Sequence, residues 1–589
     1  MSAFTVVRRI VPLQFMAAPW LNGFQMILSA LHALSWTLAI IATQRLFDGI
    51  TQAAAGEIGF RQAVTPLLWM AVVVFAQQIL NGLYAFMIVV KNSKTSGRIR
   101  MHLFQKLQRM DPVRFEDTDF LDDLNKARES VDIIPYFSMT FTDLALFYVV
   151  YFISVGAYLF WLSPMLVVTL ALSFIPALIA QLVRVRVFTK LEQENAPLRR
   201  QYEYYQRTLC DREYFKETRI LGAFSFFHKL YDDTMMLLTD KEWHAERKTT
   251  LLQLLLNIGS FAGMAIATLL LFNAAMAGVI TVGAFAAVFG ALSMIFSVMD
   301  EIVNENLGQR SKDIGKVANF IRMLDMPERM GTEESVDFSK GIVAESISLT
   351  YPGRKEPAIS DLALVIEKGE TVAIVGENGA GKSTLVRLLT GIYRPDDGTV
   401  TIGGVSSQNL TSAYPKISGV FQKYQRYKMT IRENVTISDR VNANRKKEIG
   451  VDQDRRISQV LKEADVRLEY DLDTMLSPEF DGIDLSGGEW QRLAIARGLY
   501  RTNDFVILDE PTAAIDPIEE SRVYQQFQKL ATGKCAVIVT HRLGSVKLAD
   551  RVIVMDAGQI VDTGTHEELL SRPGKYADMW AAQAKWYER

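Results

Sequence analysis

The chain contains 589 residues, of which 49% are apolar and 22% are charged, and its formal net charge at neutral pH is −2. This length exceeds what a single hydrophobic core holds, so we expect at least two domains. The near-zero net charge argues against a nucleic-acid-binding protein and against a protein with a polyacidic partner. The two cysteines, Cys210 and Cys535, are far apart in the sequence and are expected to be reduced thiols.

Four long stretches without a charged residue occupy the first half of the chain. They are residues 10–44, 62–90, 144–183 and 249–299. A helix that crosses a bilayer needs about 20 mostly apolar residues. Ser163-Pro164 divides the third stretch, and residues 273–278 offer a short turn within the fourth. The sequence therefore predicts six membrane-spanning helices, within a transmembrane domain at residues 1–325.

The distribution of lysine and arginine predicts the orientation of these spans. Residues 91–143 contain nine of them and residues 184–248 contain thirteen, whereas residues 45–61 contain two. Since basic residues are enriched in cytoplasmic loops, the two long segments are predicted to be cytoplasmic. Six spans then return both termini to the cytoplasm. The chain is thus expected to be a multi-pass protein of the cell (inner) membrane.

The two cytoplasmic segments are too long to be simple loops. We expect them to continue the membrane helices, with a short transverse helix at residues 111–116 and another at 207–217, although ordinary solvated helix fits these residues equally well.

The spans themselves contain no Asp, Glu, Lys or Arg, which argues against an ion-coupled carrier. Their polar residues are interpreted as helix contacts rather than cargo contacts. These residues are Asn22, Gln25, His32, Gln77, Gln78, Asn81, Gln253 and Asn257.

The second half of the chain has the pattern of an α/β domain. Residues 326–340 are polar and charged and are predicted to be a linker, so this domain spans residues 341–589. Two strands are predicted at residues 342–351 and 370–375, and the second leads directly into a glycine-rich loop. The loop is Gly376-Glu377-Asn378-Gly379-Ala380-Gly381-Lys382-Ser383, and Thr384 follows it. A strand, such a loop and a helix in succession form a phosphate-binding loop, whose N–H groups surround the phosphates.

The loop and a later apolar strand together predict a site for ATP and Mg²⁺. Lys382 is expected to reach the β- and γ-phosphates, and the Ser383 hydroxyl is expected to bind the metal. The apolar strand Val506-Ile507-Leu508 places Asp509 in the magnesium shell. Glu510 follows directly and is positioned to act as the general base on the attacking water.

A third motif lies between these two. It reads Asp484-Leu485-Ser486-Gly487-Gly488-Glu489-Trp490-Gln491 and resembles the signature of the ATP-binding cassette (ABC) family. The three motifs stand in the order found in that family, and the resemblance covers essentially the whole chain. It implies an α-helical transmembrane domain, with long cytoplasmic helical extensions, followed by an α/β P-loop cassette.

The same resemblance assigns roles to residues at matching positions. Tyr351 is similar to the aromatic residue that stacks on adenine, although by itself it could equally be a core tyrosine. Gln422 resembles the glutamine that contacts Mg²⁺ and the attacking water. Residues 514–516 resemble the loop between the two cassettes, and His541 resembles the switch histidine at the γ-phosphate.

Six spans fused ahead of one cassette resemble a half-transporter of the exporter type. In this family each ATP lies between the loop of one subunit and the signature of the other, here Ser486, Gly487 and Gly488. One chain supplies one of each, so the resemblance implies an obligate dimer. None of the motifs is degenerate, which favours a homodimer over a heterodimer with one defective site.

Narrower similarities concern the cargo. Residues 421–434, residues 479–482, Trp490 and residues 211–217 resemble the corresponding segments of bacterial lantibiotic and other peptide exporters. Many other exporters instead have a Gly-Glu-Arg-Gly-like segment before the signature. No cysteine-peptidase domain precedes the first span, so this chain is not expected to trim leader peptides.

The sequence thus predicts ATP-driven export of a bulky amphipathic substrate, a peptide, by alternating access. One alternative is a multidrug or lipid exporter of the same architecture. The other is an ATP-gated channel or regulatory module, against which the intact Glu510 and His541 argue.

Overall fold

The computed structural model describes residues 3–303, 310–331, 336–410, 416–421, 424–439, 451–466, 470–501, 503–509, 524–525, 527–528, 530–541 and 543–587. The chain divides into two compact units. The first comprises Met1–Gln108 and Asp122–Met326, and the second comprises Arg109–Leu121 and Pro327–Arg589. The short segment Arg109–Leu121 is therefore grouped with the C-terminal half, although it lies between two helices of the N-terminal half.

Helices build the first unit. In chain order they are α1 (Ala3–Ala17), α2 (Pro19–Ala54), α3 (Phe60–Gln108), α4 (Thr118–Asp143), α5 (Val149–Leu162), α6 (Pro164–Cys210), α7 (Phe215–Ile220), α8 (Phe224–Met276), α9 (Val282–Asp300) and α10 (Arg310–Asp325). A π-helical turn, Leu144–Tyr148, joins α4 to α5. Within the described residues, six helical stretches are long and apolar enough to cross a membrane. The six predicted spans are thereby confirmed.

The two turns that divide the longest apolar stretches have clear local causes. Ser163 is extended and Pro164 is the first residue of α6, where the missing proline N–H is not needed. Between α8 and α9 the chain turns through Gly278, whose φ is +67°. The Thr281 side chain then accepts a hydrogen bond from the Ala284 N–H at 3.0 Å and caps α9.

Three helices are much longer than a membrane span. The helices α3, α6 and α8 contain 49, 47 and 53 residues, so each is about 70 to 80 Å long, against about 30 Å of hydrocarbon. At the first predicted tip the chain forms a 3₁₀ helix, Pro112–Glu116. At the second, α6 continues to Cys210, and the short helix α7 begins only at Phe215.

Two charged residues directly outside the charge-free stretches lie inside the helical bundle. Lys91 is fully buried on α3, and its Nζ has no hydrogen-bond partner among the described residues. The Asp143 carboxylate at the end of α4 supplies the opposite charge. It accepts hydrogen bonds from the hydroxyls of Ser29, at 3.4 Å, and Tyr84. The sequence did not foresee that charges bordering the spans would be buried between helices.

Removing one of these charges should destabilise the protein more than removing both. We expect Asp143→Leu to lower the free energy of unfolding by about 3 kcal/mol, because Lys91 would remain buried without a counter-charge. Adding Lys91→Met should recover most of this loss. Thermal unfolding of the three proteins, followed in one detergent, measures the effect. Equal midpoints for the single and double variants would show that the two charges do not compensate each other.

Two sheets form the framework of the second unit. The strands are β1 (Ile342–Leu349), β2 (Ile359–Ile366), β3 (Thr371–Gly376), β4 (Asp397–Ile402), β5 (Val405–Ser406), β6 (Ile417–Val420), β7 (Phe505–Asp509), β8 (Cys535–Val539), β9 (Arg551–Asp556) and β10 (Gln559–Gly564). The larger sheet has the order β10-β9-β3-β8-β7-β6, with only β10 antiparallel to its neighbour. The smaller sheet, β2-β1-β4-β5, is antiparallel.

Helices also belong to the second unit. They are α11 (Lys382–Leu389), α12 (Ile431–Thr436), α13 (Val451–Glu463), α14 (Gly487–Tyr500), α15 (His566–Ser571) and α16 (Lys575–Tyr587). Side chains of β3 alternate between two apolar clusters, since Val372 and Ile374 enter one and Ala373 and Val375 enter another. The strand is thus buried on both faces, as parallel sheets require. The predicted α/β fold is confirmed, and functional groups can project from the carboxyl ends of the parallel strands.

Candidate functional site

The glycine-rich loop leaves the carboxyl end of β3 and leads into α11. Its glycines have backbone conformations that other residues rarely adopt, with φ of +154° at Gly376, +85° at Gly379 and +95° at Gly381. A Cβ atom would come within 2.3 Å of the Met555 carbonyl oxygen at Gly376, and within 2.6 Å of the Ala358 carbonyl oxygen at Gly381. The loop therefore keeps its shape only with glycine at these two positions.

The remaining loop residues are divided between solvent and interior. Glu377, Asn378 and Gly379 are exposed, whereas Ala380 is buried. Lys382, the first residue of α11, is also buried, and its Nζ donates to the carbonyl oxygens of Gly376 at 3.0 Å and Glu377 at 2.9 Å. The ammonium group thus lies inside the curve of the loop, where it can bind phosphate oxygens.

The two predicted magnesium ligands lie close together. The Ser383 Oγ on α11 is 3.5 Å from the Asp509 Oδ1 at the end of β7. A hydroxyl and a carboxylate are oxygen ligands of the kind that Mg²⁺ prefers, and this ion commonly completes its shell with phosphate and water. The donor set therefore fits a magnesium ion bound together with a nucleotide.

His541 follows β8, and its side chain lies near the glycine-rich loop and Asp509. It hydrogen-bonds to the backbone of Gly376 and lies within electrostatic range of Lys382 and Asp509. Burial, and secondly the positive charge of Lys382, lower the pKa of His541. The lowered pKa favours the neutral imidazole, whose single N–H must leave the Gly376 backbone to donate to a phosphate oxygen.

Tyr351 is half-buried and stands beside the first turn of α11. Its hydroxyl is 3.0 Å from the Thr384 Oγ1, and it accepts a hydrogen bond from the Arg387 guanidinium at 3.0 Å. The tyrosine packs at the edge of the core cluster between the two sheets. It is thus tied to the phosphate-binding helix by its polar end.

The signature motif forms the beginning of α14. Ser486 is the N-cap residue, and its Oγ accepts a hydrogen bond from the Glu489 N–H at 3.4 Å. The Glu489 carboxylate accepts in return from the Ser486 N–H at 2.8 Å, so a capping box fixes the turn. This hydrogen bonding lowers the pKa of Glu489. The buried Trp490 donates through its indole N–H to Asp484 at 3.1 Å.

The two signature glycines leave space around the serine. No described heavy atom outside the helix lies within 4 Å of a Cβ built at Gly487 or Gly488. The Ser486 side chain is exposed. The first turn of the helix thus has open space at Gly487 and Gly488, which suits an approaching anion.

Several predicted residues lie outside the described residues. They are Gln422, Glu510 and the loop at residues 514–516. The structure brings together Gly376–Lys382, Ser383, Asp509 and His541, and it places Tyr351 beside Thr384.

Some contacts around the site were not foreseen. Lys575 at the start of α16 is 3.5 Å from the Glu377 carboxylate in the loop and 2.7 Å from Asp556. Further along this helix, Gln583 donates to the His541 carbonyl oxygen. No local pattern reveals that the last helix of the chain contacts a loop about two hundred residues earlier. By contrast, Arg387 lies one turn after Thr384 on α11. This spacing could have indicated that the Arg387 side chain lies near Thr384.

Comparisons with known proteins agree with this arrangement. Residues 359–513 match the family model of the ABC transporter, and residues 23–200 match that of the ABC transporter transmembrane region. The solved structure of a bacterial Atm1-family ABC exporter with ATP bound has a similar fold, with a TM-score of 0.75. It is 23% identical, and the match covers 95% of this chain and 98% of that one.

Three curated proteins are informative relatives. The subtilin transport ATP-binding protein SpaT of Bacillus subtilis is 30% identical over 480 residues, which are 79% of this chain and 76% of SpaT. The nisin transport ATP-binding protein NisT of Lactococcus lactis subsp. lactis is 34% identical over 246 residues, 40% of each chain. The ATP-dependent lipid A-core flippase of Pasteurella multocida is 31% identical over 326 residues, 55% of each chain.

Proposed function

Because the chain belongs to the ABC transporter family and has the half-transporter architecture of its exporters, we propose that it hydrolyses ATP to export a peptide. The observation that carries the choice of cargo is the 30% identity to SpaT over four-fifths of the chain. SpaT and NisT are named for the transport of subtilin and nisin. The similarity of residues 421–434 to peptide exporters supports the same cargo class.

Hydrolysis in this proposal depends on a small set of side chains. Lys382 binds the phosphates from inside the loop, and neutral His541 donates a hydrogen bond to the γ-phosphate. Glu510 accepts a proton from the attacking water as general base. The carboxyl end of β7 supports this role, because it carries Asp509 immediately before Glu510.

Ser383, Asp509 and Gln422 would hold Mg²⁺, which supplies charge neutralisation at the β- and γ-phosphates when it is bound. The distance of 3.5 Å between Ser383 Oγ and Asp509 Oδ1 supports this assignment. Tyr351 would stack on the adenine. Its position beside Thr384 on the phosphate-binding helix supports the assignment.

Two copies of the chain form the working transporter in this proposal. Ser486, Gly487 and Gly488 of one copy contact the γ-phosphate of the ATP on the loop of the other. The open space around the two glycines supports such an approach. ATP favours the closed pair of cassettes to the extent that it binds them more tightly than the open pair. We place the homodimer in the cytoplasmic membrane with both termini in the cytoplasm.

A lipid exporter is the second candidate. The lipid A-core flippase of Pasteurella multocida is 31% identical, although the match covers only 55% of each chain. Because this match covers less of the chain than the match to SpaT does, we rank a lipid cargo below a peptide cargo. Both candidates need the same ATP site, so only a transport measurement with defined cargo separates them.

The test is ATP hydrolysis by the purified chain in lipid vesicles, with a panel of amphipathic peptides, lipid A and dyes. We expect a peptide to stimulate hydrolysis and to accumulate inside inverted vesicles when ATP is present. Glu510→Gln should lower turnover by at least about 100-fold, because the general base is lost. The variant is the control for peptide that merely adheres to the vesicles. Stimulation by lipid A and not by peptides would replace the first candidate with the second.

A further inference from the structure

We propose that Glu116, Tyr393, Arg387 and Tyr351 of one protomer form a hydrogen-bonded relay that couples ATP binding to the 3₁₀ helix Pro112–Glu116. The relay rests on the proposed function, because it requires the adenine of ATP to lie against Tyr351. Glu116, Tyr393 and Arg387 act in it as positioning residues. Through them, the segment between α3 and α4 responds to the base end of the nucleotide site.

The Pro112–Glu116 helix is firmly packed within the second unit. Asp111 fixes its first turn by accepting a hydrogen bond from the Val113 N–H at 3.3 Å. The Val113 side chain packs against the apolar cluster of the two sheets, which also contains Tyr393. The Val113 contact therefore holds the 3₁₀ helix, which ends at Glu116, against this apolar cluster.

Arg329 provides a second attachment. Its N–H donates to the Arg109 carbonyl oxygen at 2.7 Å. Its guanidinium donates to the carbonyl oxygens of Gly391 at 2.6 Å and Ile392 at 3.1 Å. Arg329 thus joins the start of the Arg109–Leu121 segment, through its backbone, to the turn that immediately precedes Tyr393, through its side chain.

The relay begins at the last residue of the 3₁₀ helix. The Tyr393 hydroxyl donates to the Glu116 Oε1 at 2.6 Å. One guanidinium nitrogen of Arg387 lies 3.2 Å from the same carboxylate oxygen, 3.2 Å from the Tyr393 hydroxyl and 3.0 Å from the Tyr351 hydroxyl. A single nitrogen is therefore shared by three oxygen atoms from three different parts of the chain.

The other end of the relay enters the site. The Tyr351 hydroxyl is 3.0 Å from Thr384, which follows the predicted magnesium ligand Ser383 on α11. Tyr351 also meets Tyr393 edge to face, with ring centroids 6.0 Å apart. Tyr393 is only 3% exposed, and burial raises its pKa, so its hydroxyl stays protonated and continues to donate to Glu116.

Because one guanidinium nitrogen of Arg387 donates to several oxygen atoms, these hydrogen bonds depend on one another. A base stacked on Tyr351 restricts the ring and changes how well its hydroxyl accepts from Arg387. The bond from Arg387 to Glu116 then strengthens or weakens in response, since both use the same nitrogen. Linkage requires the converse as well: a change that breaks the bond to Glu116 must alter the affinity for ATP.

The experiment uses the full-length chain in lipid vesicles and compares wild type with Glu116→Gln, Tyr393→Phe and the double variant. We expect each single variant to raise the KM for ATP about fivefold, within the usual range of coupling between sites, with kcat changed less than twofold. The double variant should be no worse than the more affected single one, because either change breaks the same relay. Glu129→Gln removes an exposed charge of the same kind from α4 and should leave KM unaltered.

A reciprocal measurement separates the relay from simple weakening of the fold. In a Cys210→Ser background, exposed Arg114 is replaced by cysteine, and the rate of thiol labelling is measured with and without a non-hydrolysable ATP analogue. We expect the analogue to change the rate in the otherwise wild-type protein and not in Tyr393→Phe. Equal KM values for wild type and both variants, or additive effects, would overturn the relay. Absence of ATP hydrolysis in wild type would instead overturn the proposed function.

Discussion

Replacing Lys382 with alanine is expected to lower ATP turnover by at least about 100-fold. The Lys382 ammonium lies inside the glycine-rich loop, held by the carbonyl oxygens of Gly376 and Glu377. It is buried there and points to where the phosphates are proposed to lie. Loss of one preorganised charge that stabilises the transition state commonly costs a factor of about 100 to 1,000. Steady-state phosphate release by the purified chain in lipid measures the effect.

A second lysine close to the same loop provides a matched control. Lys575 contacts Glu377 at 3.5 Å and Asp556 at 2.7 Å, outside the curve of the loop. Lys575→Ala removes the same charge from the same neighbourhood, and we expect turnover to change less than about threefold, as for a partly exposed ion pair. A similar loss in both variants would show that net charge near the loop, and not the placement of Lys382, governs turnover.

Mixed dimers should reveal whether each site is built from two chains. One mixture pairs a Lys382→Ala chain with a Gly488→Gln chain, which leaves one site with both parts intact. The other pairs a Lys382→Ala, Gly488→Gln double-variant chain with a wild-type chain, which leaves every site with one defect. We expect hydrolysis in the first mixture and a loss of at least about 100-fold in the second. Differently tagged chains, purified through both tags, allow the measurement.

The choice of Gly488 for this test follows from its surroundings. A Cβ at this position meets no described heavy atom within 4 Å outside the helix, so the larger side chain is expected to fit within its own subunit. The side chain would instead occupy the space proposed for the partner's γ-phosphate. Unchanged melting temperatures of the two single variants would confirm that the effect is on the site. Equal activity in the two mixtures would contradict sites shared between chains.

Much of the fold could be predicted because its causes are local. A run of about 20 apolar residues and the Ser163-Pro164 break can each be recognised within a short stretch of sequence. The six spans could therefore be predicted from the sequence. The length of α6 past residue 207 could not be predicted, since continuation of a polar helix depends on its packing. Burial of Lys91 and Asp143 was missed for a related reason. A charge at the end of an apolar run is usually exposed, and only the neighbouring helices reveal otherwise.

The candidate site divides in the same way. Gly376, Gly381 and Lys382 are specified by backbone conformation and charge within eight residues, so the sequence identifies them. The contact of Gln583 with the His541 backbone joins parts of the chain that no motif links. The Glu116–Tyr393 bond spans 277 residues and depends on how Arg109–Leu121 packs within the second unit. Contacts of this range are decided by tertiary structure alone.

The grouping of Arg109–Leu121 with the C-terminal half also has a consequence during synthesis. The surface that covers this segment includes Tyr393, which leaves the ribosome 272 residues after Leu121. At about 5 to 20 residues per second, the segment waits roughly 15 to 55 s for that surface. Val113, which packs against the apolar cluster that contains Tyr393, remains uncovered during this interval. Chains that stop before the second half are therefore expected to expose this segment to chaperones and proteases, so that only complete chains accumulate.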